Sequence, residues 1–151
     1  MGVKLNAPLS IGDDVGLIGG GFQQHGVASY ITTDWGPTYI HIKTTLTQQS
    51  YSMPMFEIIG YNYITAQPIR MAFVIYTYDY LISNWENTAY GGLVGNGVYI
   101  SGDGYIVLRL YAPNTYYCGF SIDVHAVAGN GSQITYGVQA ISANYSSGNV
   151  Y

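Results

Sequence analysis

Charge is what this chain has least of. Only 8% of its 151 residues are Asp, Glu, Lys or Arg, against roughly a quarter in an average soluble domain. The firm cations are Lys4, Lys43, Arg70 and Arg109, and the net charge is −4. So small a positive complement neutralises few phosphates, which excludes nucleic acid as a natural partner. Cysteine is nearly absent: Cys118 alone allows neither an intrachain disulfide framework nor a cysteine-rich zinc site. No apolar run approaches the roughly 20 residues of a helical bilayer crossing, so membrane insertion is not expected. Met1 to Asn6 lack the basic cluster and apolar stretch of a secretory leader.

What is present is apolar and aromatic. Hydrophobic residues make up 48% of the chain, the reverse of a disordered composition, and the length suits one domain with a real core. The aromatic residues are 17 Tyr against 4 Phe and 2 Trp. Tyrosine joins an apolar body to a polar hydroxyl and suits surfaces that are part buried and part wet, including contacts with other subunits or with sugar rings. Two regions are expected: a Gly-rich N-terminal arm over residues 1–26, and a β-domain over 27–151. The apolar residues Val15, Leu17, Ile18 and Phe22 are the expected attachment points of the arm.

From Val27 onward the pattern is one of strands, rich in β-branched and aromatic residues and broken by turn chemistry. Thr38 to Thr44 alternates, with Ile40 and Ile42 on one face and Tyr39, His41 and Lys43 on the other. Met55 to Tyr63, Ile69 to Tyr80, Tyr105 to Tyr111, Tyr116 to His125 and Ser132 to Ile141 read as further strands. The centre of the third, Met71 to Tyr76, is apolar on both faces and predicts burial on both, under a second sheet or another subunit. Tyr105 to Tyr111 puts Ile106, Leu108 and Leu110 on one face and Tyr105, Val107, Arg109 and Tyr111 on the other, again a second adhesive face. Turns are expected at Asn96-Gly97, Asp103-Gly104 and Gly129-Asn130-Gly131, with at most a single helical turn near Ile82 to Glu86. The predicted fold is all-β: an antiparallel β-sandwich, jelly-roll-like, with an extended arm.

Catalytic constellations are missing. Gly12-Asp13-Asp14 shares its letters with a polymerase carboxylate motif, but the chain is far too short for such an enzyme, and a solvated turn is the simpler reading. The glycine clusters at Gly19 to Gly21 and Gly95 to Gly97 lack the Lys-Ser/Thr of a phosphate loop. Asp123 and His125 share a strand face and are candidates for a His–carboxylate pair, yet no serine in an elbow accompanies them. Cys118 projects opposite to His125, so it reads as a buried structural thiol. His25, His41 and His125 have no metal-ligand spacing within one chain, although a threefold axis would bring copies of one together. Glu57 is expected to pair with Arg70 or Arg109. No cofactor is expected, and no enzymatic activity. The candidates for ligand contact are Trp85, Tyr90, Tyr99, Asp103 and Tyr111, a stretch rich in sugar-compatible side chains.

Ile69 to Tyr78, Ser101 to Leu110 and Tyr116 to Asp123 together resemble the C-terminal domains of tail-fibre and related appendage proteins of tailed bacteriophages, particularly marine and cyanobacterial ones. The resemblance is one of pattern and spans roughly residues 38 to 142. It implies a virion-surface location on tail fibre, tail or capsid, a homotrimer, contacts with other virion proteins, and recognition of a host-surface glycan or protein. These domains commonly end long fibres, whereas here a Gly-rich arm precedes the domain. A capsid decoration or cement protein therefore stands as an alternative, and so does a carbohydrate-binding lectin unrelated to viruses.

Overall fold

Alternating apolar and polar residues make the strands of this chain. The computed structural model describes residues 15–18, 21–33, 35–49, 52–90, 93–126 and 136–151. Among these residues there are ten strands and no helix. The strands are β1 (Val15–Ile18), β2 (Gly21–Thr32), β3 (Gly36–Thr47), β4 (Met55–Asn62) and β5 (Gln67–Tyr78), then β6 (Leu81–Tyr90), β7 (Val94–Ile100), β8 (Tyr105–Thr115), β9 (Cys118–Ala126) and β10 (Val138–Asn144). They form a six-stranded sheet in the order β1-β2-β9-β4-β5-β6 and a four-stranded sheet in the order β10-β3-β8-β7. Their pairings are antiparallel. The partners β2 and β9 lie in one sheet while the next strands inward, β3 and β8, pair in the other. This nested pairing is that of a jelly-roll ribbon, so the expected sandwich is the fold observed.

One core lies between the sheets. Ile40, Ile42 and Leu46 of β3 and Ile106, Leu108 and Leu110 of β8 face Phe56, Ile58, Met71, Phe73, Ile75 and Ile122 of the larger sheet, and all are buried. Each such side chain contributes roughly 1.5–3 kcal/mol when taken out of water. Trp85 of β6 closes the core at one edge, its ring 6.3 Å from that of Phe73.

Several expectations need correction. Ile82 to Glu86 is not a helical turn but the middle of β6; it pairs with β5 through a two-residue hairpin in which Asp79 and Tyr80 take φ of 50° and 62°. Both central residues are left-handed, as a type I′ turn demands, and the matching right-handed twist holds the strands together. Asn96-Gly97 is a bulge within β7 rather than a turn, with Gly97 at φ 143°. Asp103-Gly104 is a turn, closed by Gly104 N–H donating to Ser101 O at 2.9 Å. The centre of β5 is buried on its inner face alone: Met71, Phe73 and Ile75 point into the core, while Ala72 and Val74 are half-buried on the outer face. Gly129-Asn130-Gly131 lies outside the described residues, as do 1–14 of the expected arm. The described remainder of that stretch adds a hairpin to the edge of the larger sheet, with Val15 opposite Gln24 and Ile18 opposite Gly21. β2 runs through the expected boundary at 26/27, bulged between Gln24 and Ala28, where Gly26 adopts φ 61°.

Candidate binding surface

One group of aromatic side chains that escape the core, Tyr76, Tyr78 and Tyr80, lies at the β5–β6 hairpin; a second gathers at a pole at the other end of β5. The β2–β3 connection carries Trp35, the β4–β5 turn carries Tyr63, and the two-residue crossing from β8 to β9 is Tyr116-Tyr117. These rings are in mutual contact. Trp35 stacks on Tyr116 at 4.2 Å and 17°. Tyr116 meets Tyr117 edge to face at 4.6 Å, and Tyr63 stands 6.1 Å from both. Trp35 and Tyr63 are each 65% exposed, unusual for large rings in contact with others. Such geometries are favourable by about 0.5–1.5 kcal/mol per pair beyond burial, which fixes the rings without hiding them. So short a crossing puts Tyr117 at φ 47°. Beneath the cluster, buried Asn62 donates from Nδ2 to Asn114 O at 3.0 Å and ties the end of β4 to β8. The phenol of Tyr116 is pushed above its usual range by burial and by the neighbouring Tyr117 and Tyr63, so it remains a neutral hydroxyl at physiological pH.

A trough of about 470 Å³ continues from this pole along the outer face of the larger sheet. Ile31 and Tyr61 form its walls, and both reach over Gly119: Tyr61 Oη lies 3.4 Å and Ile31 Cγ1 3.6 Å from where a Cβ on that glycine would be. Ser29 and Ser121, paired in register, lie on its floor. Further along the same face the few charges of this sheet form a belt. Glu57 accepts from Arg70 at 3.1 and 3.2 Å and lies 3.2 Å from His125 Nε2. Asp123, opposite Glu57 in register, accepts from the Gly26 N–H at 2.8 Å and lies 2.8 Å from His25 Nδ1. Glu57 thus pairs with Arg70 rather than Arg109. The expected Asp123–His125 pair is exchanged for two longer-range ones, His25 with Asp123 and His125 with Glu57. The carboxyl of Asp123 is held below its usual range: burial raises it, but the Gly26 amide, His25 and the nearby His125 together outweigh that cost.

The five ligand-contact candidates are dispersed. Trp85 and Tyr90 belong to β6 of the larger sheet, with Trp85 turned to the core. Tyr99, Asp103 and Tyr111 belong to the smaller sheet or its turn. Tyr99 Oη lies 3.1 Å from His41 Nδ1 and accepts the Val150 N–H at 3.2 Å. Asp103 accepts from Lys43 Nζ at 2.6 Å and from Ser101 Oγ at 2.6 Å. Tyr111 lies 4.9 Å from the ring of Tyr39. Adjacent in sequence did not become adjacent in space, because the β6–β7 connection changes sheets. The pole residues Trp35, Tyr63, Tyr116 and Tyr117 went unselected. The expected strands ran through Tyr63, Tyr116 and Tyr117, whereas β4 stops at Asn62 and β9 starts at Cys118, so these rings stand in turns and cannot alternate into a core.

Cys118 is fully buried and its thiol is pushed up to about 11 by burial, far from a nucleophile's range. Among the described residues no group of three or more His, Cys, Asp or Glu is placed to hold a metal ion. Of the expected attachment residues, Val15, Leu17 and Ile18 lie in β1 and Phe22 in β2. No protein-family model, curated protein or solved structure matches the chain.

Proposed function

We propose that the protein is a non-catalytic binding module of a phage virion, a tail-fibre or knob-like appendage that forms a homotrimer and attaches to host-surface saccharide through the aromatic pole. The observation that carries this reading is the exposed, pre-organised set Trp35, Tyr63, Tyr116 and Tyr117. Rings held by one another offer apolar faces to the C–H faces of a sugar, and their hydroxyls, with exposed Asn114 beside them, supply the few polar contacts that orient it. Rigid aromatic groups lose little entropy on binding and dominate most interfaces. The pattern resemblance of Ile69 to Tyr78, Ser101 to Leu110 and Tyr116 to Asp123 to phage appendage domains supports the virion setting. Low charge and abundant tyrosine support contact with other virion proteins.

The test is glycan-array binding by the full chain beside its Trp35→Ala and Tyr63→Ala variants, with solution mass measured on the same samples. Binding by wild type that drops at least about tenfold in each variant, on the scale of a hot-spot truncation, supports the reading. A protein that binds no glycan, or variants that bind as well as wild type, overturns the saccharide role. A monomer at all concentrations overturns the trimer. The decoration reading is favoured by a separate observation, the exposure of Met53 (61%), Tyr76 (37%), Tyr78 (53%) and Leu81 (63%) together beside the β5–β6 hairpin, an apolar surface that a neighbouring virion subunit would cover. Particles that lack the protein and adsorb normally but rupture sooner on heating would select it.

A further inference from the structure

We infer that the segment 145–151 is a proton-operated strap over the outer face of the four-stranded sheet, with His41 as its trigger. After β10 the chain bends, with Ser146 N–H donating to Asn144 Oδ1 at 2.9 Å and Gly148 N–H to Ser146 Oγ at 3.1 Å. It then crosses the sheet and is fastened to three strands. Arg109 of β8 donates from Nη1 to Ser147 O. Val150 N–H donates to Tyr99 Oη of β7 at 3.2 Å, and the Tyr151 ring lies 5.5 Å from Lys43 Nζ of β3.

His41 is the anomaly beneath the strap. Strand alternation turns it away from the core, between inward Ile40 and Ile42, yet it is 0% exposed. Val107, which also points outward and lies in register between Lys43 and Tyr99, is equally buried. This second apolar face is therefore covered by the chain itself. Nδ1 of His41 has the Tyr99 hydroxyl, but Nε2 has no partner in hydrogen-bonding geometry. The groups facing the ring are Tyr99 from β7, Arg109 opposite it on β8, Ser142 opposite it on β10, and Ser146 of the strap. Lys43 lies two residues along, engaged with Asp103, and Tyr151 lies above Lys43. None of those in contact with the ring is an acid. An imidazolium here is buried, short of a partner and beside a guanidinium. Burial is the largest influence and holds His41 below its ordinary range; the Ser146 backbone, next in size, pulls the other way, and Arg109 adds a lesser push downward.

Lifting the strap returns the ring to water, where it regains the affinity for protons of a free imidazole. Opening therefore takes up a proton, and acid favours the open form. The uncovered face presents Tyr99, Val107 and Arg109, which the closed strap withholds. The device rests on the smaller sheet alone and does not depend on what the aromatic pole binds.

The test is amide hydrogen exchange at Val150 and Gly148 in the full chain, followed by NMR and corrected for intrinsic exchange, from about pH 8 down to about pH 5. Protection should fall with acid by up to about tenfold per pH unit, the limit for one proton gained on opening. In His41→Gln it should lose this dependence. The His41 ring signal provides a second measurement that needs no variant: its titration should share its midpoint with the loss of protection. Protection that stays flat, that falls equally in His41→Gln, or that follows His25 or His125 instead overturns the proposal.

Discussion

Adding one methyl group at Gly60 should cost this fold about 3 kcal/mol, near the upper end for overpacking. Gly60 sits on the inner face of β4, opposite Phe120 of β9. A Cβ there would lie 2.0 Å from Gly119 O, 2.5 Å from Phe120 Cα and 2.6 Å from Phe120 Cβ. Two of these three atoms are backbone, in a strand paired with β4 along its whole length, so relief requires displacing β9 rather than turning a rotamer. Gly102→Ala is the matched control, because a Cβ there meets nothing within 4 Å. Urea unfolding followed by tryptophan fluorescence suits both variants, since Trp85 packs on Phe73 and reports the core. With an m-value of about 2 kcal/mol per M, Gly60→Ala should lower the midpoint by about 1.5 M. Gly102→Ala should move it by less than about 0.3 M, in either direction. If Gly60→Ala matches its control at unchanged m, the close approach of β4 and β9 is not a constraint on the fold, and the register assigned to this pair is wrong.

Two further outcomes are expected. Tyr80→Gly should stabilise the domain by about 1 kcal/mol in the same unfolding assay, because Tyr80 occupies the left-handed position that type I′ hairpins give to glycine; no gain would mean that the Tyr80 side chain makes compensating contacts. Asp123→Asn should alter the acid limb of the stability profile. A carboxyl depressed in the folded state stabilises above its unfolded value, here 3.8, and that contribution is lost as pH falls through the folded value. Wild type should thus lose stability below about pH 4, the Asn variant should lose less of it, and urea midpoints measured across that range decide the matter.

The sheets were legible because their signal is local. Ile40 and Ile42 against Tyr39, His41 and Lys43, or Phe120, Ile122 and Val124 against Ser121, Asp123 and His125, need nothing beyond period-two alternation to be assigned to faces. The hairpin at Asp79-Tyr80 was not legible, because its left-handed residues carry side chains and no glycine announces the turn. The bulge at Gly97 misled for the opposite reason: Asn-Gly is the strongest short turn signal, yet β7 runs through it, with Val98 and Ile100 packed against the core. The double apolar face of Met71 to Tyr76 was seen correctly as a pattern but pointed to two covers. In β8 the equivalent residue, Val107, is fully buried between Lys43 and Tyr99, the two residues to which Tyr151 and Val150 are fastened, and no local window contains that arrangement.

The site was hidden for a related reason. Trp35, Tyr63, Tyr116 and Tyr117 are separated along the chain and meet because two crossings and one hairpin end at the same pole, which only the nested topology dictates. The distribution of scarce charge then divides the surface into regions with different physics. Glu57, Arg70, Asp123, His25 and His125 form the belt on one sheet, while Lys43, Asp103, Arg109 and His41 surround the strap on the other. The rings of the pole are left without an ionic partner among the contacts they make. Contact through neutral rings is insensitive to ionic strength, whereas opposed charges and buried imidazoles respond to salt and acid. If the pole is the binding surface proposed above, its contact should hold constant across salt and acid, while the strap over His41 should respond to pH.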